Sequence, residues 1–238
     1  MFANLGTPPQ PGIYPAWSRA LVEIVDLAIC EAWHRVKKRC PALLTTGDED
    51  EITDELKSEL VAMRKADCPP GFNDELFGVP TRDSKVKNSS GDSIDPTPDL
   101  TIYPARSRPE VSDDQHDALF FECKVIDRSR GLSLYDKKGM QRFTSGWYAS
   151  RMPHAGMVAY VLNGKHTAPM HSLTRYLSKN IRGHNVTNGE QIGCNAAPKK
   201  VMDSPGIMAS DVAETIHARP TLSIGPHDIA LRHLWLLN

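Results

Sequence analysis

Apolar positions along the chain recur first at helical and then at strand spacing. Leu21, Ile24, Val25, Ala28, Ile29, Ala32, Trp33 and Val36 repeat every three or four residues, with Glu23, Asp26, Arg35 and Lys37 between them. That pattern predicts an amphipathic helix from about residue 16 that ends before Pro41. A second helix is expected after the turn at Gly47, with Ile52, Leu56, Leu60 and Met63 as its stripe and Asp48, Glu49, Asp50 and Glu51 at its start. Acidic side chains there suit the positive end of the helix dipole. Residues 67–97 read as loop with one short strand near Leu76–Thr81. Leu100, Ile102 and Tyr103 form a short strand, 105–117 a polar loop, and Ala118–Ile126 a nearly continuous apolar strand of the kind buried on both faces. A helix is predicted over 134–149, a strand over 157–162, a helix over 171–181, mixed structure over 182–220 and a closing strand over 229–237. Alternating strands and helices of this kind predict an α/β fold with a mixed central sheet flanked by helices. Residues 1–15, rich in Pro and Gly, read as an extended arm, and 16–238 as one domain.

Composition narrows the classes of function. The chain has 238 residues, 40% hydrophobic and 24% charged, with a formal net charge of -1. A nucleic-acid coat protein would be basic overall, so any nucleic-acid contact here rests on local patches or on a partner. No segment approaches the roughly 18–20 apolar residues of a membrane helix. The first fifteen residues lack the pattern of a secretory signal. The five cysteines are widely spaced without a CxxC pair, which predicts reduced thiols in a cytoplasmic protein. The nine histidines lack the close spacing of a zinc site. Neither a phosphate-binding glycine loop nor a serine-hydrolase elbow is present.

The chemistry lies in the apolar strand. Glu122 and Lys124 interrupt it, and buried charges are costly unless paired or bound to a metal. Residues two apart share a strand face, so Glu122 and Lys124 project together while Cys123 points the other way. Pro98-Asp99 precedes the neighbouring strand, and pairing of the two strands brings Asp99 toward Glu122. Asp99, Glu122 and the backbone carbonyl of Cys123 then offer oxygen ligands to Mg²⁺. Such an ion polarises a scissile phosphate and lowers the pKa of a bound water, while Lys124 positions the water and offsets charge in the transition state.

Pro98-Asp99 followed by Glu122-Cys123-Lys124 resembles the PD-(D/E)XK, restriction-endonuclease-like nuclease superfamily. Gly139-Met140-Gln141-Arg142-Phe143 and Gly146-Trp147-Tyr148-Ala149 resemble the helix after the catalytic strand in bacterial defence-associated members. Met157–Val161 and His233–Leu236 resemble later core strands. The resemblance implies a restriction-endonuclease-like core in residues 49–238, with the Trp17–Arg39 helix as an addition. It implies an Mg²⁺-dependent endodeoxyribonuclease, with Mn²⁺ as a substitute, in a defence or restriction setting. Asp99, Glu122, Lys124 and Gln141 would be catalytic, Arg142 would contact nucleic acid, and a glutamate of the first core helix would face the metal. Glu51 is favoured for that role, with Glu55 as rival. DNA is favoured over RNA, and a homodimer or a partner protein is compatible. The sequence leaves open the number of metals, the specificity, and endonuclease against exonuclease action.

The plainer readings differ in weight. An arbitrary Glu-x-Lys is an exposed cross-strand pair, but this one is flanked by apolar residues on both faces. The acidic run 48–51 fits a simple helix start, Gln141 and Arg142 an exposed helix face, and Lys137 and Lys138 a solvated one. The rival function is a nuclease-fold subunit that binds nucleic acid or protein and needs a partner for activity.

Overall fold

The computed structural model describes residues 13–83, 97–162, 169–180, 199–202, 212–219, 222 and 224–238. Helix α1 (Arg19–Arg39) begins at Ser18, whose hydroxyl accepts from the Leu21 N–H, and ends in Lys37, Lys38 and Arg39, which suit the negative end of the dipole. A single turn, α2 (Leu43–Thr46), leads to Gly47. Helix α3 (Glu49–Lys65) is capped by Asp48, whose carboxylate accepts from the Glu51 N–H at 3.0 Å. Its expected stripe of Ile52, Leu56, Leu60 and Met63 is fully buried.

Six strands form one mixed sheet in the order β1-β2-β3-β6-β5-β4. They are β1 (Leu100–Ile102), β2 (Leu119–Ile126), β3 (His154–Val161), β4 (Lys199–Met202), β5 (Val212–Ala218) and β6 (Asp228–Leu237). The central pairs β2–β3 and β3–β6 are parallel; β1 and the β5–β4 side run antiparallel. Every residue of β2 and β3 is buried, as strands covered on both faces require.

Register divides the side chains between the two faces. Glu122 is level with Met157 and His233, and Lys124 with Ala159 and Trp235. This face is covered by the segment α4 (Leu132–Tyr135), a π turn (Asp136–Met140) and α5 (Gln141–Thr144). Tyr135 OH lies 2.8 Å from His233 Nδ1. The other face packs on α1 and α3. Trp33 stacks on Tyr160 with centroids 5.3 Å apart, Thr53 bonds the Tyr160 hydroxyl, and Asp26 pairs with Arg232. The N-terminal helix is packed into the core, and its Trp33 indole donates to the Leu237 carbonyl of β6.

Four expectations change. The helix predicted over 134–149 runs unbroken over 132–144 with a π turn at its middle, and the chain turns at Gly146 with φ 76°. The strand predicted near 76–81 contributes two isolated bridges, Phe77 to Pro104 and Thr81 to Thr101. The mixed stretch 182–220 holds two strands, β4 and β5. Strand β5 escapes a hydrophobicity reading because its buried face carries Thr215 and His217. Of the predicted arm, residues 1–12 lie outside the described residues, whereas Tyr14 is buried and its N–H donates to the Arg151 carbonyl.

Thr215 and His217 are tolerated in the interior because they are hydrogen-bonded. Thr215 Oγ1 lies 2.6 Å from His217 Nε2 and 2.8 Å from His233 Nε2. Burial first, and then the neighbouring His217, push the His233 pKa from 6.5 down to about 3. The native state therefore binds fewer protons at this site than the unfolded chain. Its stabilising contribution is complete above about pH 6.5 and is lost as the pH falls from there toward 3. His154 shifts the same way, to about 4, chiefly through burial. Denaturant unfolding between pH 7.5 and 5 should show stability falling with acid by roughly 1.4 kcal/mol per pH unit for each such histidine. His233→Gln, which keeps polar contacts without titrating, should flatten that dependence; an unchanged slope would count against His233 as its source.

Candidate active site

The site forms where β1 leaves β2. Pairing between them ends at Leu100–Phe121, so the β2 edge beyond Phe121 lacks a backbone partner on that side. Two carboxylates replace the missing strand. Asp99 Oδ2 accepts from the Cys123 N–H at 2.7 Å, and Glu49 Oε2 accepts from the Val125 N–H at 3.0 Å. Leaving these donors unpaired would cost about 1–3 kcal/mol each, so local backbone chemistry already draws both acids to this edge.

Lys124 occupies the centre. Its Nζ lies 2.8 Å from Glu49 Oε1, 2.8 Å from Glu122 Oε1 and 3.3 Å from Asp99 Oδ2, and it also donates to the Cys123 carbonyl. Burial works against the ammonium's charge, but Glu122, Asp99 and Glu49 outweigh it and raise its pKa. Glu122 is completely buried at its side chain. Burial first, and then the Asp99 charge, push its pKa up to about 8 against the opposing pull of Lys124 and Arg142. Arg142 Nη1 reaches the same Glu122 oxygen and donates to Tyr148 OH at 3.1 Å. Tyr148 OH donates in turn to the Thr97 carbonyl at 2.9 Å, two residues before Asp99.

The covering segment is held close to the sheet. A methyl group at Gly139 would stand 2.4 Å from Met157 Cε, the end of a flexible side chain that would have to give way, and at an ordinary contact distance of 3.7 Å from Glu122 Cγ.

Asp99, Glu122, Lys124 and the Cys123 carbonyl are therefore brought together, and the Cys123 side chain lies on the opposite face, buried near Tyr160. The helix glutamate at the cluster is Glu49, a correction to the expectation of Glu51. Glu51 is exposed, its N–H is used by the Asp48 cap, and two residues from Glu49 is about 200° around the helix. The rival Glu55 pairs with Arg39. The available sequence signal was the cap itself: Asp-x-x-Glu assigns Asp48 to the N-cap and Glu51 to the third helical position. Gln141 is also displaced. Its side chain makes no hydrogen bond to the cluster among the described residues, and Arg142 takes that place. The Arg142 guanidinium, expected on nucleic acid, lies on Glu122. Tyr148 had no predicted role of its own.

Among the described residues no group of three or more His, Cys, Asp or Glu is arranged as a metal cluster; the carboxylates converge on the Lys124 ammonium instead. The donor chemistry nevertheless suits a hard divalent cation. Asp99, Glu122, Glu49 and the Cys123 carbonyl are all oxygen donors, and Glu122 Oε2 is buried without a hydrogen-bond partner among the described residues. Comparison with protein-family models, curated proteins and solved structures gives no match.

Proposed function

We propose that the protein is a metal-dependent nuclease with a restriction-endonuclease-like core, acting on DNA in a cytoplasmic defence or restriction setting. The observation that carries this reading is the convergence of Glu49, Asp99 and Glu122 on Lys124 at a splayed strand edge, with one Glu122 oxygen unpartnered among the described residues. Glu122, with its pKa of about 8, carries a proton at neutral pH, and a divalent cation at this point would displace that proton and pair with the carboxylate. Asp99, Glu122 and the Cys123 carbonyl would hold Mg²⁺, with Glu49 as the fourth oxygen donor. When bound, the ion supplies Lewis-acid polarisation of the scissile phosphate.

The chain's own groups account for the rest. Lys124 places a positive charge and three donors beside the carboxylates, where it can orient the attacking water and offset charge growing on the phosphate oxygens. Arg142 balances Glu122, and Tyr148 ties Arg142 to the loop that delivers Asp99. Water attacks phosphorus, the bond from phosphorus to the leaving sugar oxygen breaks, and that oxygen takes up a proton.

The test is cleavage of plasmid, linear duplex, single-stranded DNA and RNA with Mg²⁺, Mn²⁺ or EDTA. Wild type should cut only with a divalent metal, and Asp99→Ala should lose about 10²-fold or more in rate. Cleavage that persists in EDTA would overturn the reading. One observation favours the second reading, a nuclease-fold subunit that needs a partner. Lys124 and Arg142 both already rest on Glu122, a resting arrangement that a partner protein would have to open. Activity that appears only when a partner is added would support it. No helix among the described residues is long and apolar enough to cross a membrane.

A further inference from the structure

Three of the four tryptophans, Trp17, Trp33 and Trp235, are buried; Trp147 is 47% exposed. It sits in the turn after α5, its N–H donating to the Arg142 carbonyl at 2.9 Å, and its neighbour Tyr148 bonds the Arg142 guanidinium that rests on Glu122. Trp147 is therefore the chain neighbour of a residue tied to the cluster through Arg142. The same covering segment exposes Lys137 and Lys138, neither of which has an ion-pair partner among the described residues, and a partly exposed Leu134. The segment is anchored from below by the close approach of Gly139 to Met157 and by the Tyr135–His233 hydrogen bond. One helical segment and the turn that follows it thus carry an exposed indole and two ammonium groups without an ion-pair partner among the described residues, and the same segment supplies the Arg142 that rests on Glu122.

A single exposed apolar residue needs no explanation, but this combination selects one kind of ligand. Lysines attract phosphates, and a flat indole binds the face of a base. In a duplex those faces are covered by neighbouring base pairs, so stacking on Trp147 requires an unpaired base. Resting on the nuclease reading above, we infer that Trp147, Lys137 and Lys138 form a docking platform for an unpaired stretch of nucleic acid leading to the Glu122–Lys124 site. Trp147 stacks one base while the lysines hold adjacent phosphates.

The platform can be tested on the full chain in EDTA, which separates binding from cleavage. Because Trp147 is the exposed indole, short oligothymidylate or oligouridylate should quench and shift the tryptophan emission, and blunt duplex should do so less. Trp147→Ala should weaken binding of a labelled single strand by about 5- to 150-fold, the loss of one stacked base. Lys137→Ala with Lys138→Ala should reduce the salt slope of log K by about 1.4, as two fewer phosphate contacts predict. Thermal melts matching wild type would confirm that the variants fold. Single-strand affinity unchanged in Trp147→Ala, or a quench as large with duplex, overturns the platform. Parallel Mg²⁺ cleavage assays keep the two readings distinct. Trp147-dependent binding without cleavage supports the platform while removing the nuclease; cleavage with Trp147-independent binding removes the platform alone.

Discussion

Lys124→Ala should lower metal-dependent cleavage by about 10²–10³-fold while leaving the far-UV circular dichroism of the folded protein in place. The ammonium touches Glu49, Glu122 and Asp99 and is nearly buried. Its removal deletes the one cation common to all three acids. Arg142 remains on Glu122 but reaches no other carboxylate of the cluster among the described residues. Glu122, whose pKa of about 8 already keeps it mostly protonated at neutral pH, would move further up. Breaking one partner from a buried ionic group costs about 3–5 kcal/mol when the remaining charge stays uncompensated; protonation of Glu122 limits that loss. The same reasoning gives a readout independent of catalysis. A divalent cation that binds the native carboxylates stabilises by mass action, and it should raise the melting temperature of Lys124→Ala more than that of wild type, because no ammonium competes for the acids. Equal shifts in the two proteins would show that these carboxylates do not take up the ion.

The second large effect lies on the opposite face of the sheet. Asp26→Ala should destabilise the fold by about 3–5 kcal/mol, equivalent to a fall in melting temperature of roughly 6–20 °C for a chain of this size. Asp26 on α1 is fully buried, and its Oδ2 accepts from Arg232 Nε at 2.8 Å and from Nη2. Burial pushes the Asp26 pKa up to about 6, and Arg232 pulls against that shift. Without Asp26, the guanidinium keeps, among the described residues, a distant Glu214 oxygen at 3.8 Å. Its strand neighbours cannot compensate, since Gly156 faces it from β3 and Leu231 and His233 point to the other face. The double substitution Asp26→Leu with Arg232→Met should recover much of the lost stability, because replacing both charges removes the unpaired ion. Chemical denaturation of the wild type, the two single variants and the double variant gives the coupling energy directly. Additive losses would mean that the pair does not act as a unit. Because the pair joins residues 206 positions apart, its loss should also loosen α1 from β6.

Much of this architecture was legible in the chain. The stripes of α1 and α3, the buried strand β2 and the closing strand β6 follow from hydrophobic period, because the pattern that buries one face is itself a local property. The shared orientation of Glu122 and Lys124, with Cys123 reversed, follows from strand geometry alone. The π turn within the helix over 132–144 was not legible: it lies where Gly139 comes close to Met157 on another element, which its neighbours in sequence do not encode. Strand β5 was hidden for a similar reason. Its Thr215 and His217 are acceptable in the core because Thr215 bonds both His217 and His233, the latter on the paired strand β6.

The site divides along the same line. The sequence determined which strand carries the charges and which face they occupy, since both depend on spacing within a few residues. The choice of Glu49 over Glu51 or Glu55, and of Arg142 over Gln141, was decided by tertiary structure. Helix α3 could present any of its glutamates until the unpaired Val125 N–H and the Lys124 ammonium fixed which one lay within reach. Charge pairing across a sheet edge depends on distances of a few ångströms between segments some 75 residues apart, and no local pattern encodes those distances.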